Sequence, residues 1–303
     1  MSLIRHRDPT LDPRHAFTLP ELLLALVLAL SVTGTTMMLV KNQLALTRAS
    51  LDIQRTQRLP HEATTILSAA LRAAHDSLIS ASDTALEFRQ TIGASVVCVV
   101  TPPQTITLPP DSLAANTFLT TMLTTPDSAD EVAFYSPTGG RRVPITTVTR
   151  PATATACPPT TSFTAPLDVV AGRKAYAVTV ATSLFASIHS GTPIRFFRHV
   201  RYSVYRASDG RWYLGYRRCD TGGCATVQPV SGPYASSGTT LPLTFRYYRS
   251  DGMEVVSPSP ASRIARIDVV VRARTARLPH APGIVDSVVV DSSVTTIALR
   301  NAP

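Results

Sequence analysis

The chain has 303 residues, 44% of them hydrophobic and 16% charged, which is too apolar and too weakly charged for a disordered protein. Its 24 prolines and 14 glycines are scattered, so collagen-like and low-complexity classes fall away, and the length allows one large domain or two of ordinary size. The formal net charge is +9, and arginine carries it: of 29 basic residues only Lys41 and Lys174 are lysine.

Residues 1–16 are polar and basic, with Arg5, His6, Arg7, Arg14 and His15 against Asp8 and Asp12. Phe17-Thr18-Leu19-Pro20-Glu21 follows, and then residues 22–40, which carry no charge. As a helix those residues rise roughly 28 Å, close to the apolar thickness of a bilayer. The basic residues ahead of the span predict a cytoplasmic N-terminus and a translocated remainder. Pro20 falls in the first helical turn, where its missing N–H costs nothing. Thr33, Gly34, Thr35 and Thr36 interrupt the run, and Gly34 weakens the helix locally. Glu21 is a carboxylate at the edge of an uncharged span, which makes it a functional residue by default. A free N-terminal amine is a cation suited to pair with it, and cleavage just before Phe17 creates one. Three plainer readings of the segment are a secretory signal cut after Ala29-Leu30-Ser31, a single-span anchor, and a buried helix of a soluble protein. Glu21 fits the first badly, and the length of the uncharged run argues against the last.

Past the span, Leu59, Ala63, Ile66, Leu67, Ala70, Ala74 and Leu78 recur at three- and four-residue steps and mark one apolar helical face. The pattern predicts one long helix over about 17–80, a membrane half (17–40) and an amphipathic half (41–80), kinked at Pro60. From 81 to the end the chain reads as a β-rich head. Residues 94–101 form a short apolar strand containing Cys98, 101–128 a Pro/Thr/Ser-rich loop, 131–136 a strand, Gly139-Gly140 a turn, and 150–166 a second loop holding Cys157. Residues 175–188 are ambiguous between strand and helix. Residues 198–206 and 211–218 read as a hairpin about Asp209-Gly210, and 243–249 leads to a second such turn at Asp251-Gly252. Residues 263–274 alternate: Ala265, Ile267, Val269, Val271 and Ala273 face one way, and Arg266, Asp268, Arg272 and Arg274 the other, as in a half-buried antiparallel strand. Residues 288–299 are a final strand. The expected fold class is therefore α+β, a long N-terminal helix packed on an antiparallel β-sheet head.

The search for chemistry finds no catalytic constellation, so no enzyme activity and no cofactor is expected. His61-Glu62 opens like a zinc-protease motif, but Thr65 stands where the second histidine belongs. Four cysteines, Cys98, Cys157, Cys219 and Cys224, suit two disulfides in an oxidising compartment. Cys219-Asp220-Thr221-Gly222-Gly223-Cys224 reads as a small disulfide loop. A metal there needs further ligands, and none lies nearby in sequence, so no metal site is expected. Cys98–Cys157 is then the other bridge, and closing so long a loop stabilises by roughly 4 kcal/mol in the chain-entropy model. Four cysteines nevertheless allow three connectivities. Between 195 and 277 fourteen arginines stand against five acids, with Tyr202, Tyr205, Trp212, Tyr213, Tyr216, Tyr247 and Tyr248 interleaved. That composition admits a nucleic-acid surface, a protein–protein surface or plain solvated sheet.

RHAFTLPELLLALVLAL resembles the class III signal of type IV prepilins and type II secretion pseudopilins. The resemblance implies a leader of residues 1–16 removed by a prepilin peptidase between Ala16 and Phe17, N-methylation of Phe17, and pairing of Glu21 with the amine of a neighbouring subunit during assembly. Ala16 departs from the glycine usual in the family. The hairpin VRYSVYRASDGRWYLGYRR and the later LTFRYYRSDG resemble, loosely, the J-type pseudopilins and W-type minor pilins. What this implies is a pilin-like fold and a low-copy subunit that primes or caps a type IV pilus or pseudopilus. Its partners are then the peptidase, other pilin subunits and inner-membrane lipid, with the head in the periplasm. A DNA-binding competence subunit and a membrane-anchored periplasmic β-domain with no filament role are the alternatives.

Overall fold

A computed structural model of the chain describes residues 18–74, 78–114, 117–136, 139–150, 157, 164–165, 167–168, 175–234, 240–256, 264–275 and 290–299. Among them the protein is α+β: one helix, α1 (Leu19–Arg72), is followed by fifteen strands. Among the described residues every strand pairing is antiparallel. The chain divides into two compact units, whose described parts are residues 18–53 and the residues from 54 onward. The leader and the cleavage site, Ala16 and Phe17, lie outside the described residues.

Leucine and alanine, both strong helix formers, dominate α1. The helix runs on through Pro60, as one long element over this stretch. The Thr64 hydroxyl donates to the Pro60 carbonyl at 2.9 Å. The end at Arg72 is earlier than the periodicity predicts. The Ala73 amide is shared between the carbonyls of Ala69 and Ala70, and Ala74 donates to Leu71, which tightens the last turn. The Ala73 carbonyl then accepts from the Thr91 amide at 2.8 Å, and Ala74 bridges Gln90. A strand therefore captures the chain where the helix was expected to continue. Leu78 keeps its place in the core, but from beyond the helix.

The first sheet holds β1 (Ser80–Ala81), β2 (Ala85–Val96), β3 (Val99–Thr101), β4 (Thr105–Thr107), β5 (Thr121–Met122), β6 (Glu131–Ser136), β7 (Gly139–Thr149), β8 (Ala177–Val180), β9 (Pro193–Arg206), β10 (Trp212–Asp220), β11 (Gly223–Cys224) and β12 (Gln228–Tyr234). The second holds β13 (Leu243–Tyr248), β14 (Arg266–Arg274) and β15 (Val290–Ala298), with β14 in the middle. β9 is the spine of the first sheet. It pairs with β2 on one edge; on the other its first half pairs with β6 and its second half with β10. Alternate residues of β9 face the interior: Ile194, Phe196, Val200, Tyr202 and Val204 are buried, and the polar Arg198 stands between them.

Two apolar cores lie on that face. One gathers Ala63, Leu67, Ala70 and Leu71 of α1 with Leu86, Phe88, Val200, Tyr202 and Leu214, and closes against Phe245, Ile267, Val269 and Val271 of the second sheet. The apolar face expected on the second half of the helix is therefore packed on the β-rich head. The other core gathers Ile106, Leu108, Val132, Phe134, Ile145, Val178, Ile194 and Phe196. β2 serves both cores through a bulge. Thr91 pairs with Phe197 and Gly93 with Phe196, which leaves Ile92 as the extra residue and shifts the alternation by one.

Three expectations are corrected and one ambiguity is resolved. The strand placed at 94–101 begins nine residues earlier, at Ala85, and breaks at Val97-Cys98, whose amides turn to the carbonyls of Thr192 and Thr107. The stretch read as one loop over 101–128 contains β4 and β5. Gly139-Gly140 is not the turn but the start of β7, paired to Ser136 and Tyr135. The ambiguous 175–188 holds one short strand, β8. The hairpin of β9 and β10, the strand at 131–136 and the alternation of β14 are as the sequence indicates.

Candidate functional site

The N-terminal segment is built from Thr18 upward. The Glu21 carboxylate accepts hydrogen bonds from the Thr18 amide at 3.1 Å and the Thr18 hydroxyl at 3.0 Å. Thr18 stands just before Leu19, the first residue of α1, and Glu21 is the third helical residue. This is half of a capping box, in which the glutamate satisfies the orphan amide at the helix start. Its negative charge also lies at the positive end of the helix dipole. The Thr-x-x-Glu spacing carried this signal, and reading Glu21 only as an uncompensated charge missed it. No cation among the described residues reaches Glu21.

Beyond Glu21 the helix is apolar on every side. Leu22, Leu23, Leu24, Leu26, Val27, Leu28, Leu30 and Val32 all lie between 51% and 64% exposed. A helix that is apolar all round and unburied needs an apolar medium, and this one is long and apolar enough to cross a membrane. Its polar residues do not oppose that. Ser31, Thr33, Thr35 and Thr36 donate their hydroxyls to carbonyls three or four residues back, so each is satisfied within the helix. Gly34, the expected weak point, sits inside this self-bonded stretch, and α1 is continuous through it.

In the head, charge is concentrated where β6 and β10 meet along the edge of β9. Arg198 clasps Asp130 through Nε at 2.9 Å and Nη2 at 2.8 Å, and Arg218 reaches the same carboxylate at 2.9 Å and also grips Asp127 through both Nη atoms. The Asp130 side chain has no solvent exposure. The Arg218 hydrogen bonds hold the Asp127 carboxyl below its ordinary range, and the Asp130 bond raises the Arg198 guanidinium. This ionic cluster separates the two cores on one face of β9.

The cluster bears on the basic surface the sequence suggested. Arg198 and Arg218 are spent on internal carboxylates. Arg201 lies 3.4 Å from Glu87, Arg206 donates to the Gly210 carbonyl, and Arg195 stands over the Tyr135 ring. The arginines counted between 195 and 218 are thus largely engaged within the head. His61 and Glu62, the start of the incomplete zinc-protease motif, are exposed on α1.

The cysteines pair as Cys98–Cys157 and Cys219–Cys224. The first bridge is buried and ties the segment after β2 to residue 157. The second joins directly opposed residues of β10 and β11. Next to it, on adjacent strands, the His199 ring meets the Glu87 carboxylate at 2.7 Å. Comparison with protein-family models, with well-characterised proteins and with solved structures finds no match to this chain.

Proposed function

We propose that this chain is a minor pilin or pseudopilin, a non-enzymatic structural subunit of a type IV pilus or type II secretion pseudopilus. A prepilin peptidase cuts between Ala16 and Phe17 and methylates the new amine. The helix then holds the protein in the inner membrane with the head in the periplasm, until assembly draws it into a filament. The observation that carries this reading is Glu21: a lone carboxylate at the head of a helix that is apolar and exposed on all sides, directly after Phe17-Thr18-Leu19-Pro20.

The chemistry follows from the medium. In water a carboxylate bonded to Thr18 is adequately solvated. In a water-poor bundle of apolar helices an unpaired charge is costly, and a neighbour's protonated amine turns that cost into a charge-assisted hydrogen bond. The carboxylate keeps free lone pairs for it beyond those used by Thr18.

The test is the mass of the N-terminal peptide of the membrane-extracted protein, with and without the peptidase. A peptide beginning at methylated Phe17, seen only with the peptidase, supports the reading. A chain starting at Met1 or just after Ser31 in both strains overturns it. Glu21→Ala is expected to leave membrane insertion intact and to reduce incorporation into sheared filaments at least tenfold. Unchanged incorporation removes the role of Glu21.

A further inference from the structure

The sequence offers no ligands near the Cys219–Cys224 loop, but the sheet brings two. Glu87 of β2, His199 of β9 and Cys219 of β10 stand on three adjacent strands and on one face. A carboxylate oxygen, a ring nitrogen and the sulfur all lie within 4.8 Å of one another. Cys224 is directly opposite Cys219, with their Cα atoms 3.9 Å apart. We infer that, once the Cys219–Cys224 bridge is reduced, these four side chains form a tetrahedral site for zinc, so that the head closes its small loop with a disulfide when oxidised and with a cation when reduced.

The donor set suits that ion. Two thiolates, an imidazole and a carboxylate are the ligands zinc takes in four-coordinate sites, with bonds of about 2.0–2.3 Å. In a tetrahedral site donors bound at those lengths stand about 3.3–3.8 Å apart, so side-chain rotation has to draw the present group in by about 1 Å. His199 and Glu87 are already hydrogen-bonded through Nε2, and a cation bound at that nitrogen requires the ring proton at Nδ1. The neighbouring Arg201 and Arg217 oppose a cation, and three anionic donors are set against them.

Accessibility selects the bridge. Cys224 is exposed, whereas Cys98 and Cys157 are both buried. A gentle reductant therefore opens the small loop first. The bridge spans only 5 residues of sequence, and the β9–β10–β12 ladders hold the surrounding strands without it. A water-soluble phosphine supplies the electrons. The S–S bond breaks, two thiols form, and the phosphine leaves as its oxide with the oxygen of water. Zinc then displaces the two thiol protons.

The experiment uses the full chain in detergent, with and without phosphine, titrated with Co2+ and then Zn2+. The reduced protein is expected to bind one equivalent of Co2+ with thiolate charge-transfer and tetrahedral ligand-field bands. Zinc should displace the cobalt and shield Cys219 and Cys224 from iodoacetamide, as mapped by peptide mass. The oxidised protein should bind neither ion, and His199→Gln should weaken binding at least tenfold. Failure of the reduced protein to bind, shielding that falls on Cys98 and Cys157 instead, or unchanged affinity in His199→Gln overturns the assignment. The shielding map is read on the unaltered chain, so it does not depend on any variant folding.

Discussion

Asp130 shows how much one side chain of the head has to hold. Its carboxylate is out of contact with solvent, and the guanidinium groups of Arg198 and Arg218 both depend on it. Removing its charge takes the main ion-pair partner from Arg198 and leaves Arg218 with Asp127 alone. Asp130→Asn is expected to destabilise the head by about 3 kcal/mol, read as a lower denaturant midpoint, whereas Asp209→Asn on the exposed turn should shift it little. Asp127 belongs to the same cluster but is half exposed, so its effect is smaller and depends on pH. Its folded carboxyl is held below the unfolded value of 3.8 by Arg218. The stabilisation is therefore present above that value and is lost as pH falls through the lowered one. Denaturation followed between about pH 5 and 2 should show a fall that is shallower in Asp127→Asn.

At the level of elements, the second half of α1 and the long strand β2 decide whether the head has a core. Leu67 is fully buried between the two sheets. Leu67→Ala is expected to cost about 2–5 kcal/mol with the denaturant slope unchanged, and the partly exposed Ile66→Ala less. β2 is the element hardest to see in the sequence. ALEFRQTIGASV mixes charge with apolar residues, and its bulge at Ile92 breaks the period-two pattern midway. Gly93 beside the bulge has a structural reason: a Cβ there would stand 2.8 Å from the Thr121 carbonyl, so glycine admits β5 against β2. β14, by contrast, has no bulge and sets polar residues on one face and apolar ones on the other, so its alternation reads directly.

For the molecule as a whole, the core that joins α1 to both sheets carries buried phenols. Burial pushes Tyr202 and Tyr234 up to about 12 from the ordinary 10.0. The folded state keeps these protons while the unfolded chain releases them. Their contribution is full below about pH 10 and declines as pH rises toward 12. Head stability measured at pH 8, 10 and 11 should therefore fall on the alkaline side, less steeply in Tyr202→Phe.

Some of this molecule is written in short-range chemistry. The uncharged span, the helix start at Thr18, the Asp-Gly turn of the β9–β10 hairpin and the two faces of β14 each depend on residues within a few positions of one another. Periodicity and turn chemistry suffice to read them. The candidate sites of the head are different in kind. Arg198 meets Asp130 across 68 residues of sequence, and His199 meets Glu87 across 112. Those meetings depend on which strand lies beside which, and in what register. Many residues of similar polarity compete for such places in the sequence, and the packing of two cores around β9 chooses among them. The residues of the Glu21 site could be named before any fold was known. The ionic cluster and the cysteine–histidine–glutamate group exist only once the sheet has formed.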